Sequence, residues 1–511
     1  MRLTKGPGKA SPDGFLTRLA RDKRGNTMVL GTAALFPLLG MIGSGLDMAR
    51  AWTVQARMQQ ACDAAALAGR RAMTNDKIDK AVQTEVTKFF NFNFPQSMYD
   101  TSAFTPAVTR PSAGTVRVSA DTSVPTSIMR IFGFDDIAVG VNCHASQQFL
   151  NIDIVMVLDT TGSMNDKLAS GEKKIDALRN AVMAFYDQLK PVQDTLQANG
   201  YRVRYSFVPY SQMVNVGRLV LAAEPNAIRR SAPYARITKI AENGDDYDVW
   251  WTSQTIAHDD AWMAKWDGCI EERRTIASVS DKPTTAELSQ MRDLNIDLKP
   301  ASGDTNTQWL PADPDPVSKS LNGYACPTRA ERLKAWTRGE MDSYVKSLTP
   351  VGATYLDLGM VWGARMISEK GVFSDSPANH NGMRNMKFLI FLTDGDMDPQ
   401  PIAYTGYGLE ILQRRIAGGT ASPLVKKALE TAYWMDAGLK RRHNARFDLL
   451  CQSVRNLPAS VWTIKLSDQP MDSHLQNCAN VGQSETVATQ QQLRDKFIQI
   501  GQAITELRLS Q

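Results

Sequence analysis

Residues 152–163 read IDIVMVLDTTGS, and residues 385–396 read NMKFLIFLTDGD. Each is an apolar run that ends in a carboxylate set among hydroxyl residues and a glycine. Such runs do not alternate, so both faces are expected to be buried, as in the central strands of a parallel sheet. Groups just beyond the carboxyl ends of such strands sit where open α/β sheets build their sites. Between the two runs, Val351-Gly352-Ala353-Thr354 precedes a helical stretch, residues 355–367. Asp159, Thr161, Ser163, Thr354 and Asp394 are therefore candidate metal ligands. They offer only oxygen, without thiolate or imidazole, which suits a small hard cation: Mg²⁺, or Ca²⁺ or Mn²⁺. Two carboxylates cannot enclose such an ion, leaving room for water or a carboxylate from a partner. Gly162 and Gly395 are expected to permit the tight backbone that turns these groups inward. A plainer reading makes the two aspartates caps of following helices. In a third, the fold is kept and the site is not used.

Other segments fit an α/β fold with a doubly wound, mostly parallel sheet. Lys174–Leu189 carries Ile175, Leu178, Val182, Phe185 and Leu189 on one helical face. Residues 202–209 and 461–466 read as strands. Residues 424–439, 447–455 and 493–507 read as helices. The cluster Lys440-Arg441-Arg442-His443 is expected to end a helix, where positive charge suits the dipole.

Of the net charge of +5, all resides in residues 1–24, which hold seven Lys/Arg and two Asp. The remaining chain is formally neutral, which disfavours nucleic acid as a partner. Gly25–Leu46 is a run of 22 residues without charge. As a helix it would span roughly 33 Å, enough for a hydrocarbon core. The basic flank predicts a cytosolic N-terminus, with everything after Asp47 facing outward. A cleaved signal peptide ending near Ala49-Arg50-Ala51 and a buried core helix are the other readings. Asp47–Met73 is rich in helix formers and continues the span. Residues 115–120 and 137–141 then read as strands, so 47–147 has a pilin-like layout of a helix plus a small sheet.

Residues 211–345 interrupt the α/β pattern and contain six of the ten Trp: Trp250, Trp251, Trp262, Trp266, Trp309 and Trp336. They either form an aromatic recognition surface or fill a small core of their own. The six cysteines include no C-x-x-C pair, so redox and zinc-ribbon chemistry are disfavoured. Outside the cytosol they should pair. Cys269 with Cys326, and Cys451 with Cys478, are the candidate disulfides; Cys62 is left free or joins two chains. No P-loop, HExxH or G-x-S-x-G motif is present. The chain is accordingly not read as an enzyme, and an envelope hydrolase is the least favoured alternative.

Two resemblances follow from these residues. Arg24-Gly25-Asn26, the apolar span and Ala61-Cys62-Asp63-Ala64-Ala65-Ala66-Leu67-Ala68 resemble the N-terminus of TadE/TadG-like proteins of the tight-adherence (Flp) pilus system. Position 30 is Leu30 where pseudopilin members carry Glu, which argues against prepilin-peptidase processing. Trp266-Asp267-Gly268-Cys269-Ile270-Glu271 is similar to a Trp-x-Gly-Cys-x-Glu block of TadG-like proteins. Asp159-x-Thr161-x-Ser163, Thr354 and Asp394-Gly395 resemble the metal-ion-dependent adhesion site of von Willebrand factor type A domains. Together they imply a type A domain over 148–210 and 346–511, anchored by a single pass in a bacterial inner membrane with its bulk in the periplasm. They imply that it binds a pilus or envelope protein whose carboxylate completes the metal shell. The alternative is a structural anchor or minor pilus subunit whose metal only stabilises the fold.

Overall fold

The structure, a computed structural model, describes residues 26–73, 78–112, 114–146, 150–198, 200–277, 284–314, 325–374, 380 and 385–510. The basic tail, residues 1–24, lies outside them. The chain divides into two units, 1–148 and 149–511.

In the first unit, α1 (Asn26–Ala72) runs unbroken through Pro37. Its window of high hydropathy is almost wholly exposed, and it is long and apolar enough to cross a membrane. Its second half packs against α2 (Lys80–Asn93) and a sheet of β1 (Ala107–Thr109), β2 (Thr115–Pro125) and β3 (Asp136–Ser146), all antiparallel. Val54, Met58, Ala61, Ala65, Val86, Phe90, Val116, Val118 and Val141 fill the core. Small residues let the layers approach: a Cβ on Gly69 would lie 2.4 Å from Val86 Cγ2. Cys62 is bonded to Cys143, so it neither stays free nor joins two chains. The sequence reading missed this pair because helix and strand periodicities do not say which faces meet.

The second unit runs β4 (Asn151–Asp159), α3 (Lys174–Ala198), β5 (Val203–Tyr210), β6 (Ser231–Asn243), β7 (Asp246–Ala257), β8 (Glu331–Lys334), α4 (Arg338–Ser347), α5 (Leu356–Ile367), β9 (Asn385–Thr393), β10 (Tyr404–Thr405), β11 (Gly408–Leu409), β12 (Leu424–Val425), α6 (Ala428–Arg455), β13 (Ser460–Leu466), β14 (Ser484–Val487) and α7 (Gln490–Ser510), among shorter elements. Six strands form one sheet in the order β14-β13-β9-β4-β5-β8. All neighbours in it are parallel except β5 and β8. The other three sheets among the described residues are antiparallel. The chain as a whole is therefore mixed α/β, and its parallel pairing is confined to this one sheet.

The burial of β4 and β5 throughout, and of β9 at all but Met386, follows from cover on both faces. Ile152, Ile154, Met156 and Leu158 pack with α3 and α7; Val155 and Val157 pack with α5 and α6. At the other end of the strands, Arg204 holds buried Asp153 through two bonds of 2.7 Å, and Asn385 Nδ2 adds a third of 2.6 Å.

One helix reading is corrected. Residues 428–455 form one helix rather than two, and the 440–443 cluster lies inside it. No proline interrupts the stretch, and buried groups use those charges: His443 bonds Asp357 at 2.8 Å, and Arg442 donates to the Ile416 and Ala417 carbonyls. Residues 211–345 fall within the second unit. β8 pairs with β5, and Trp336 packs edge-on against Phe207 at 5.2 Å. Of the two readings of the six Trp, the structure matches core filling rather than an exposed surface. Trp266, Trp309 and Trp336 are buried, and Trp250, Trp251 and Trp262 half-buried.

Candidate functional site

β4 and β9 are adjacent and parallel, so their carboxyl ends deliver Asp159 and Asp394 to the same edge of the sheet. The chain leaves β4 toward β5 on one side, and β9 lies on the other. Such a reversal of strand order opens a crevice. Asp159 Oδ1 accepts from Thr161 N at 2.9 Å, which folds the 160–163 loop back over the strand. Thr161 Oγ1 and Ser163 Oγ are 3.0 Å apart. Ser163 Oγ donates to Asp394 Oδ1 at 2.8 Å. Four of the five candidates thus form one chain of hydrogen bonds.

The loop that carries Thr354 is tied to the site by its backbone. Gly162 N donates to Gly352 O at 2.8 Å, and Val351 N to Thr160 O at 2.7 Å. Asp398 N bonds Thr354 O at 2.9 Å, linking this loop to the one after β9. Gln212, which the sequence reading passed over, sets the loop's position: its Oε1 accepts from Ala353 N at 2.7 Å while its Nε2 holds Tyr404 O at 2.9 Å. The glycine that matters here is Gly352, at φ +80°, where a Cβ would lie 2.4 Å from Gln212 Oε1. Gly162 and Gly395, expected to carry that strain, are not among the positive-φ residues.

The electrostatics are those of two carboxylates confined together. Asp159 is wholly buried. Burial, and then the charge of Asp394, push its pKa up to about 7 against the hydrogen bonds from Thr161 and Thr393. Tyr210 O–H donates to Asp159 Oδ2 at 3.3 Å and Thr393 Oγ1 to the same oxygen at 2.8 Å. Asp394, whose side chain is likewise buried, accepts from Lys174 Nζ at 3.0 Å. Neither the sequence motif nor its spacing pointed to Lys174, which opens α3 and brings one positive charge to the pair. The donor set fits a hard divalent cation: every group is an oxygen, and two buried carboxylates stand in one hydrogen-bonded chain with Thr161 and Ser163.

Elsewhere, Cys269 is bonded to Cys326 and Cys451 to Cys478. Asp267, Cys269 and Cys326 cluster closely enough to suggest a metal, but both sulfurs are committed to the disulfide. An exposed aromatic pair not singled out from sequence, Tyr433 and Trp434, lies near the start of α6 with rings 5.6 Å apart.

Residues 25–74 match the family model of the Tad domain, described as Flp pilus-assembly TadE/G-like. No curated protein matches the chain. Among solved structures, the pilus adhesin SpaC from Lactobacillus rhamnosus GG is 12% identical over 79% of this chain, with a TM-score of 0.31. The chain spans 34% of that adhesin's length. The PilB minor pilin from Streptococcus sanguinis is 11% identical over 80% of this chain and 79% of its own, with a TM-score of 0.31. The vWF domain of the type V pili tip protein Mfa5 from Porphyromonas gingivalis is 11% identical over 71% of this chain and 96% of its own, with a TM-score of 0.30. Likenesses this distant carry no argument about this chain.

Proposed function

We propose that the chain is a membrane-anchored envelope protein of an Flp-type pilus system, and that its second unit is a von Willebrand type A-like domain that binds a protein partner through a divalent cation. The match of residues 25–74 to a pilus-assembly family supports the setting. The observation that carries the mechanism is the hydrogen-bonded chain Asp159, Thr161, Ser163 and Asp394 at the carboxyl ends of two adjacent parallel strands. Asp159, Thr161, Ser163, Thr354 and Asp394 would hold Mg²⁺, which supplies charge to a partner's Asp or Glu. The protein's own part is to fix the loops through Gln212 and to exclude water from Asp159. In this reading the anchor crosses a bacterial inner membrane once and the second unit lies in the periplasm.

One observation favours a second reading, a structural anchor or minor subunit. Lys174 already neutralises Asp394 without any metal. Calorimetric titration of the full chain with Mg²⁺ and Mn²⁺, beside Asp159→Ala and Lys174→Gln, separates the two. Saturable binding that is lost in Asp159→Ala and tighter in Lys174→Gln supports a metal-dependent adhesin. Absence of binding to folded wild type, with folded Lys174→Gln equally inert, supports the structural anchor.

A further inference from the structure

The turn between β2 and β3 carries Ile128, Met129, Ile131, Phe132 and Phe134 in nine residues, 126–134. An apolar turn of this kind in water would be expected to fold its side chains against the protein. Here only part of it does so. Phe132 meets Phe36 edge-on at 5.7 Å, and Ile128 fills the space a Cβ on Gly43 would need. Ile131 and Phe134 point away and remain 76% and 61% exposed.

The contacts fix where the turn lies. The strand ends sit level with Arg50, which donates to Pro125 O at 3.4 Å and to Ser127 Oγ at 3.2 Å. From there the turn descends alongside α1 toward Phe36. Asp47 and Phe36 are eleven residues apart in the helix, about 16 Å along its axis. The turn therefore lies beside the apolar stretch of α1, on the far side of Asp47; its own exposed Arg130 and Asp135 lie 4.0 Å apart and pair with each other.

Its backbone is prepared for such a place. Asp47 accepts from Ser127 N at 2.8 Å, Ile128 N at 3.0 Å and Met129 N at 2.9 Å. Thr126 N bonds Asp135 O, Ile131 N bonds Ile128 O, Gly133 N bonds Arg130 O and Phe134 N bonds Met129 O. Non-helical backbone at membrane depth needs this internal satisfaction. Trp52, on α1 beyond Asp47 and 74% exposed, is a residue type enriched at the lipid–water boundary.

We infer that the β2–β3 turn is a second membrane element: Ile131 and Phe134 enter the lipid of the outward leaflet beside the anchor, so that the small sheet is held on the bilayer at two points. The inference rests on the reading of residues 25–46 as a membrane span.

All six native cysteines are in disulfides, so one added cysteine can be labelled selectively. The full chain is reconstituted in phosphatidylcholine/phosphatidylglycerol vesicles with a nitrobenzoxadiazole label at Ile131→Cys or Phe134→Cys. Leu39→Cys in the span and Thr84→Cys on exposed α2 are the references. Nitroxide-bearing acyl chains serve as quencher. The expected result is a blue shift and lipid quenching at 131 and 134 comparable to position 39, with position 84 unaffected. Quenching at 39 with 131 and 134 behaving like 84 would overturn the inference and leave the anchor intact. A blue shift at 131 and 134 without lipid quenching would overturn it in favour of contact with a second protein copy. Loss of quenching at 39 as well would remove the anchor reading and the inference together.

Discussion

Replacing Asp159 by Asn should make the metal-free fold nearly indifferent to a pH range across which the wild type weakens. The Asp159 carboxyl has an ordinary value of 3.8 and is raised to about 7 in the folded chain, by burial and by Asp394. An acid with a raised folded pKa keeps its proton in the native state while the unfolded chain has already released it. Between about pH 4 and 7 the native state thus binds more protons, and stability falls as pH rises. The rise from 3.8 to about 7 amounts to about 4 kcal/mol lost by pH 8 relative to pH 4. Asn keeps the acceptor for Thr161 N, and its amide can donate to the Thr393 and Tyr210 hydroxyl oxygens, so the loop geometry survives. Nine of the ten Trp lie in the second unit, so their fluorescence reports its unfolding. Urea titrations in detergent with a chelator, at pH 4.5 and 8, give the difference between wild type and variant, which cancels other titrating groups. Saturating Mg²⁺ at pH 8 should restore the wild type and leave Asp159→Asn unchanged. Equal pH responses of the two proteins within about 1 kcal/mol would refute the argument that burial beside Asp394 raises the Asp159 pKa.

Four further outcomes follow from the same structure. Asp153→Ala strands the Arg204 guanidinium in the interior and should cost roughly 3–5 kcal/mol, read from the urea midpoint. Gly363→Ala places a Cβ 2.3 Å from Val157 Cγ2 between α5 and β4, and should cost about 1–3 kcal/mol in the same measurement. Removing the Cys451–Cys478 bond, which spans 27 residues, should cost about 3.5 kcal/mol, and the Cys269–Cys326 bond, spanning 57, about 4. Paired alanine substitutions compared with reduced wild type check that ordering. Gln212→Ala frees the Thr354 loop, and Mg²⁺ affinity measured by calorimetry should fall about tenfold or more while Cys451–Cys478 stays oxidised.

The elements that the sequence determined are those whose residues state their own surroundings. A 22-residue uncharged run reads as a membrane span, a signal segment or a buried helix, and IDIVMVLD and NMKFLIFLTD read as strands covered on both faces. Because strand ends in such sheets are sites, Asp159, Thr161, Ser163 and Asp394 could be named together before any fold was known. What depended on long-range packing was not legible. The 440–443 cluster looks like a helix end until His443 finds Asp357, 86 residues away. Trp336 looks like part of an insertion until it packs on Phe207. Cys62 gains a partner only because α1 crosses β3, and Lys174 becomes part of the site only because α3 begins beside β9's end. Local pattern fixes which face of an element must be buried. Which other element buries it, and which charge then meets which, is decided by the tertiary fold, because those contacts join residues that sequence spacing leaves unrelated.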